Sequence, residues 1–577
     1  MFRRENCMFN TARTCYGARR PSNLNPLASL KEIAVRLDLE AFPYPGAPYP
    51  SMRHPVFGAR GMIATSQPLA AQAGLAILRR GGNAVDAALA ASLALTVVEP
   101  MNSGIGGDLF ALVWDGQTLH GLNGAGRSPA ALNADHVRLA GHAEEMPERG
   151  WLPVTIPGAP AAWNALRQRF GSLPFADLVA DALTYAEEGY PVSPVAARDW
   201  RWSYEGLECD LTPTEFAVWA SVFAPAGRPP AAGEMWRCPH LAHSLRLVAE
   251  TEGTAVYTGE LAHAIERHAA LTGGWMTKSD LARHATEWVA PIKASYRGYD
   301  VWEIPPNGQG LAALIALNIL DGFDLHVTPR DSGASYHRQI EAMKLAFVDA
   351  QRFVADPEHA DIPVEALLSQ EYAASRRALI GERALDPEPG EPLRGGTSYL
   401  CVADQNGMMV SLIQSIFSGF GSGIVVPGTG VALQNRGAGF SLKPGHPNEV
   451  AANKRPRHTI VPGFLTHGGS AIGPFGVIGG HAQPQGHVQL LVNTLDYGMN
   501  PQTALNAPRW FWWEGREIKV EPATGAALVA ELEGRGHLVE VDHEIDVFGC
   551  GQALWRLPEG VYIAGSDGRA DGCALGY

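Results

Sequence analysis

The sequence predicts an α+β protein, with helices and antiparallel strands in separate blocks rather than in strict alternation. Three observations carry that prediction. An αα-hairpin pattern of small side chains opens the ordered sequence and leads into a β-hairpin. The middle is dominated by segments with helical spacing. From Thr397 onward the chain turns to short strands joined by Gly-rich turns, then mixed helix and strand to the end. At 577 residues, 46% apolar and 18% charged, the chain is long enough for several domains or one large unit with a substantial core.

Residues 1–55 carry Arg3, Arg4, Arg13, Arg19 and Arg20 with no apolar run behind them. They read as a poorly structured extension rather than a secretory signal. In "RGMIATSQPLAAQAGLAILRRGGNAVDAALAASLALTVVEP", Ser66 is placed to cap a helix with Pro68 in its first turn. Gly81-Gly82 ends that helix, and Asn83 caps the next, helped by Asp86 three residues on. "SGIGGDLFALVWDGQTLHGLN" reads as a Gly-rich loop and a hairpin turning at Asp115-Gly116. "FADLVADALTYAEEGY" and "YHRQIEAMKLAFVDAQRFV" have helical spacing, with Ile340, Met343, Phe347 and Val348 on one face. "YRGYDVWEIPP" reads as a strand ending in a turn, and "PPNGQG" as that turn, able to border a cleft.

A net charge of −14 argues against partners rich in phosphate, so neither nucleic acid nor an anionic membrane is expected. Seven cysteines, an odd number with no CxxC pair, argue for a reducing compartment and a cytoplasmic protein; Cys401 reads as a core residue. The most apolar run, Ala87 to Val98, is too short to span a bilayer. There is no HExxH, P-loop or GxSxG. "GIGGD" at Gly104–Asp108 is not a nucleotide-binding GxGxxG. His240 and His243 lack the companions of a metal site and read as surface or packing residues.

One junction stands out. The polar loop "GERALDPEPGEPL" ends in Gly395-Gly396 and hands over at Thr397 to the apolar strand of "TSYLCVADQNGMMVSLIQS". A hydroxyl nucleophile needs a base, and no His or Asp precedes Thr397. Breaking the Gly396–Thr397 bond would supply one, because the freed α-amine has a pKa of about 7.7–8.0 and can take the hydroxyl proton near neutrality. The glycines would allow strained backbone angles and leave room for attack on the Gly396 carbonyl. A plain Gly-Gly turn before a strand is the alternative.

The motifs "GGNAVDAALAASLALTVVEPMNSGIGGDLFAL", "YRGYDVWEIPP", "GTSYLCVADQNG", "FGSGIVVPGTG", "NKRPRHT" and "NAPRW", in this order, resemble the γ-glutamyltransferase family of N-terminal-nucleophile hydrolases from about residue 55 to the C-terminus. The resemblance implies a four-layer αββα sandwich and a precursor that cleaves itself into a large subunit, 56–396, and a small subunit, 397–577, working as that pair or as a dimer of it. It implies a small-molecule amide substrate and no metal or organic cofactor. It assigns Thr397 as nucleophile, Gly396–Thr397 as the processing bond, Ser415 as the residue supporting the nucleophile, and Gly479 and Gly480 as the oxyanion hole. A three-residue loop Gln405–Gly407 with a left-handed glycine would set Thr397 opposite Ser415, whereas a two-residue loop would set it opposite Ile416; the chemistry predicts the first.

Other positions depart from the family. Its substrate-binding arginine falls at Ala125, with Arg127 two residues later; its asparagine falls at Phe417, and its glutamine and aspartate at Arg436 and Gly439. The serine pair reads His458-Thr459, and the loop ahead of "NKRP", the family's lid, is short. These changes resemble the branch with oxamate amidohydrolase and glutaryl-cephalosporin acylase-like proteins, which implies an amide whose acyl part bears a carboxylate but no α-ammonium. Arg436 then either binds that carboxylate or pairs with an acidic side chain of the fold. Asn435 either touches the site or stabilises a turn. His458 and Thr459 are placed at the substrate site, with His458 read as a hydrogen-bonding support rather than a base. The preferred substrate is oxamate-like. A γ-glutamyl hydrolase or transferase is the first alternative and a non-catalytic binding protein the second.

Overall fold

The computed structural model describes residues 53–387 and 396–577. Nearly all of the expected 1–55 extension lies outside the described residues, as does the end of the polar loop before Gly396.

Two antiparallel seven-stranded sheets form the frame. The first runs β1 (Val56–Gly58), β13 (Tyr562–Ser566), β12 (Cys550–Arg556), β11 (Ser470–Ile478), β10 (Gly463–His467), β7 (Tyr299–Glu303) and β6 (Ile292–Tyr296). The second runs β14 (Cys573–Gly576), β2 (Met62–Thr65), β8 (Gly396–Ala403), β9 (Met409–Phe417), β3 (Asp108–Trp114), β4 (Leu119–Gly124) and β5 (Glu287–Val289). Strand alternation sorts the side chains between layers. In β8 and β9, Leu400, Val402, Val410 and Leu412 face a helical layer, while Tyr399, Cys401, Met409 and Ile413 face the other sheet. Phe464, Leu554 and Tyr562 of the first sheet meet them there. Helices α3 (Gly310–Leu320), α4 (Gly333–Phe353) and α5 (Ala482–Leu495) cover the far side of the first sheet, so the architecture is a four-layer αββα sandwich.

Against the second sheet lie α1 (Pro68–Arg79) and α2 (Ala84–Val98). Every residue of α2 is buried, which its run of Ala, Leu and Val permits without a polar face. Its start is the predicted capping box of Asn83 and Asp86. The start of α1 differs from expectation. Gln67, not Ser66, has the extended backbone of a cap and accepts from the N–H groups of Leu69 and Ala70. Ser66 instead donates to Glu99, 2.9 Å away. "YRGYDVWEIPP" is the expected strand, Tyr299–Glu303, ending in a turn, and it is entered by a reversal at Arg297-Gly298, both with positive φ. "FADLVADALTYAEEGY" is divided, into helices Phe175–Leu178 and Ala180–Glu187.

Candidate active site

The β8–β9 hairpin sets the centre. Its loop is the three-residue form, Gln405–Gly407: Asp404 N–H bonds to the Met408 carbonyl at 3.1 Å, and Gly407 is left-handed at φ +86°. The register then runs unbroken from Ala403↔Met409 to Ser398↔Gln414. One further step brings Thr397 beside Ser415, and their hydroxyl oxygens are 3.3 Å apart. There the ladder bulges, placing Gly396 opposite Phe417. Phe417 has φ +79°, a strained value for a bulky residue and one that clusters at functional sites.

Ser415 Oγ is the hub. It accepts from the Phe417 N–H at 2.7 Å, from Arg436 Nη2 at 3.1 Å and, at the longest reach, from Thr397 Oγ1 at 3.3 Å. A hydroxyl has two acceptor lone pairs and one proton. With both lone pairs engaged, the proton goes to the Gly396 carbonyl oxygen, 2.8 Å away. Ser415 therefore polarises the carbonyl of the bond that Thr397 is expected to break, backed by a guanidinium. Gly396 itself does not have a positive φ; a Cβ there would lie 2.5 Å from Asn102 Oδ1, a clash that the Asn102 side chain would have to turn away to relieve. This replaces the expectation of strained angles at Gly396.

Arg436 is fully buried. Nη1 donates to Thr459 Oγ1 at 2.7 Å and the guanidinium lies 4.2 Å from the Phe417 ring centre. Burial lowers its pKa to about 9, against the pull of the Asp108 carboxylate. The Asp108 carboxyl is raised to about 7 by burial, although Arg436, Gln434 and the N–H groups of Gly126 and Gly158 favour its charged form. Asp108 Oδ2 sits 3.0 Å from His458 Nε2, and His458 Nδ1 accepts the Ile460 N–H, which places the ring proton on Nε2. Burial, then Arg436, keeps His458 neutral. Asn435 is equally buried, accepting from the Ser418 N–H and donating to the Glu148 carbonyl. None of Asn435, Arg436, His458 and Thr459 lines the cavity; they form a polar wedge behind Ser415.

Gly479 and Gly480 follow β11 and precede α5, with φ +116° and +59°. Among the described residues neither N–H is hydrogen-bonded, and both lie at the positive end of a 14-residue helix. Gln309 fixes this turn, its Nε2 donating to the Gly480 carbonyl at 3.0 Å and the Thr459 carbonyl at 2.8 Å. The "PPNGQG" turn thus supports the site from behind, a role its sequence did not reveal.

Thr397, Gly396 and Gly479 open onto a cavity of about 600 Å³. Its walls include Glu99, Asn102, Arg149, Arg198, Asp199, Trp202, Phe511 and Trp513. Arg149 donates to the carbonyls of Gly419 and Gly421. Ala125 is buried away from the cavity, and Arg127 pairs with Asp356 and Glu358. His240 and His243 are exposed. The one group of metal-ligating side chains among the described residues, His337, Glu341 and His537, lies elsewhere; Lys344 Nζ, 2.9 Å from Glu341 Oε1, already supplies its positive charge.

This arrangement on an αββα frame defines an N-terminal-nucleophile hydrolase. The chain belongs to the γ-glutamyltranspeptidase family, whose model matches residues 70–577. It is 38% identical over 534 residues to the glutathione hydrolase-like YwrD proenzyme of Bacillus subtilis, covering 91% of this chain and 100% of that one. It is 34% identical to the oxamate amidohydrolase proenzyme of Klebsiella pneumoniae, covering 90% and 98%. The crystal structure of cephalosporin acylase from Bacillus halodurans superposes with a TM-score of 0.89 at 52% identity, covering 93% and 99%. The protein is accordingly a carbon–nitrogen hydrolase made as a self-cleaving proenzyme.

Proposed function

We propose that Thr397 is the nucleophile of both self-cleavage and substrate hydrolysis, and that the substrate is an amide with a carboxylate-bearing acyl part larger than oxamate. The observation that carries the first half is the Ser415 hydroxyl on the Gly396 carbonyl, 2.8 Å away, with the Thr397 hydroxyl beside it. In cleavage, Thr397 Oγ bonds to the Gly396 carbonyl carbon, the C–N bond breaks, and the nitrogen takes the hydroxyl proton to become the α-amine. Water then hydrolyses the ester. In turnover the α-amine accepts the Oγ proton and passes it to the leaving amine, and the N–H groups of Gly479 and Gly480 hold the oxyanion.

The cavity supports the second half. Oxamate has six heavy atoms and would occupy a small part of about 600 Å³ walled by Trp202, Phe511 and Trp513. Arg149 replaces Arg436 as the cation for the substrate carboxylate, since Arg149 lines the cavity and Arg436 does not. The γ-glutamyl reading has one observation in its favour: Asp199 lines the same cavity and would meet an α-ammonium. A cytoplasmic location is consistent with the unpaired described cysteines Cys209, Cys238, Cys401, Cys550 and Cys573.

Mass spectrometry of the wild type beside Thr397→Ala tests the mechanism. The wild type should split after Gly396 and the variant stay whole; an intact, folded wild type would refute it. On the cleaved enzyme, glutaryl amides of bulky amines should outpace both oxamate and γ-glutamyl amides. Preference for oxamate would overturn the argument from cavity size.

A further inference from the structure

The turn after α2, Glu99 to Ser103, wraps the processing bond. The N–H groups of Asn102 and Ser103 both bond to the Glu99 carbonyl, and the Asn102 carbonyl accepts the Ile416 N–H at 3.1 Å. Both neighbours of Thr397 touch this turn. Ser398 Oγ donates to Glu99 Oε2 at 2.6 Å, and Gly396 lies against the Asn102 side chain. Along the chain, the Thr397 nitrogen falls between those two contacts. Strand parity explains the arrangement: the Thr397 side chain faces the sheet–sheet layer with Ser415, and Ser398 faces the α2 layer with Glu99.

We propose that Glu99 is the seat of the α-ammonium that cleavage creates on Thr397, and that it sets the pH at which this amine becomes a competent base. The inference rests on Thr397 being the new N-terminus. Among the described residues, the buried Glu99 carboxylate has no partner cation before cleavage. Hydroxyls of Ser398 and Ser66 and the Asn102 amide bond it, and the charge bearing on it most is the like-signed Asp571. Burial raises its pKa to about 7. Tyr190, Asp199 and Cys550 also feel its charge; Arg198 beyond Asp199 is paired with Asp199 and Asp546. Cleavage delivers the missing positive charge at this point.

The sign follows. A carboxylate within about 4–6 Å favours the ammonium and raises its pKa. The amine is a base only when neutral, so Glu99 holds the acid limb of kcat/KM at higher pH. That limb belongs to the amine–carboxyl pair rather than to either group alone.

The test uses the full chain, matured in the wild type, Glu99→Gln and Glu99→Asp. Glu99→Gln should still cleave, because the amine does not exist until the bond is broken. Its acid limb should move down by about one pH unit, retaining roughly tenfold more of its plateau activity on that limb than the wild type. Glu99→Asp, with its carboxylate withdrawn by one methylene, should shift the same way by less, and it carries the test if Glu99→Gln does not fold. An acid limb unmoved in the folded variants overturns the proposal, as does a folded Glu99→Gln precursor that does not cleave. If the wild type itself is not cut after Gly396, the nucleophile assignment has failed instead, a result seen before any Glu99 variant is made.

Discussion

Replacing Ser415 by alanine removes four hydrogen bonds, with Thr397, Gly396, Phe417 and Arg436, and their loss has unequal consequences. The bond it donates to the Gly396 carbonyl, at 2.8 Å, acts on the carbon that Thr397 is proposed to attack. Loss of one such donor costs about 10²–10³ in rate, or about 2.7–4 kcal/mol of barrier. Two of the other losses strand buried donors: the Phe417 N–H, about 1–3 kcal/mol, and one arm of the Arg436 guanidinium, about as much again. Ser415→Ala should therefore be several kcal/mol less stable and cleave at least a hundredfold more slowly. The assay follows the fraction of uncut chain on denaturing gels after purification, with melting temperature measured in parallel. Ser415→Thr, which keeps the hydroxyl, should cleave within about tenfold of the wild type. A folded Ser415→Ala that matures at the wild-type rate would refute the polarisation of the scissile carbonyl.

Two more outcomes follow from the same geometry. Gly396→Ala puts a methyl 2.5 Å from Asn102 Oδ1, an overpacking worth about 1–3 kcal/mol, so cleavage should slow by about fivefold to a hundredfold; Asn102→Ala in the same chain should restore it, as a time course will show. Arg149→Met should raise KM by tenfold or more for carboxylated amides and leave neutral isosteres nearly unchanged, read as a ratio of kcat/KM values on matched substrates.

Much of this was legible in the sequence. The capping box at Asn83, the turn at Asp115 and the left-handed Gly407 are local signals, each fixed within four or five residues. The abrupt Gly-Gly-Thr entry singled out Thr397 as a candidate nucleophile, and the longer motifs of the family resemblance carried that assignment. What could not be read was direction and depth. Arg436 is the type of residue that binds carboxylates, yet whether it faces a cavity or the back of Ser415 depends on the bulge at Gly396 and the strained Phe417, set by contacts hundreds of residues apart. Glu99 served only to mark the end of an apolar run, and Gln309 was one residue of a turn. Their importance comes from where α2 and the loop after β7 end in space, which no local pattern records.

The strand order of the two sheets has a consequence after the cut. In the second sheet β2, from before the cleavage point, is held between β14 and β8, both from after it; in the first, β1 and β7 flank a block of four strands from after it. The precursor closes this interleaving as one chain, a unimolecular event. The mature enzyme cannot repeat it, because two separated chains would have to find each other while neither owns a complete sheet. Unfolding should thus become a one-way process once maturation is complete, with recovery falling as the protein is diluted. With the cut at the proposed bond, the peptide link between Gly396 and Thr397 is also a single-use folding tether, present while the frame is assembled and given up when activity begins.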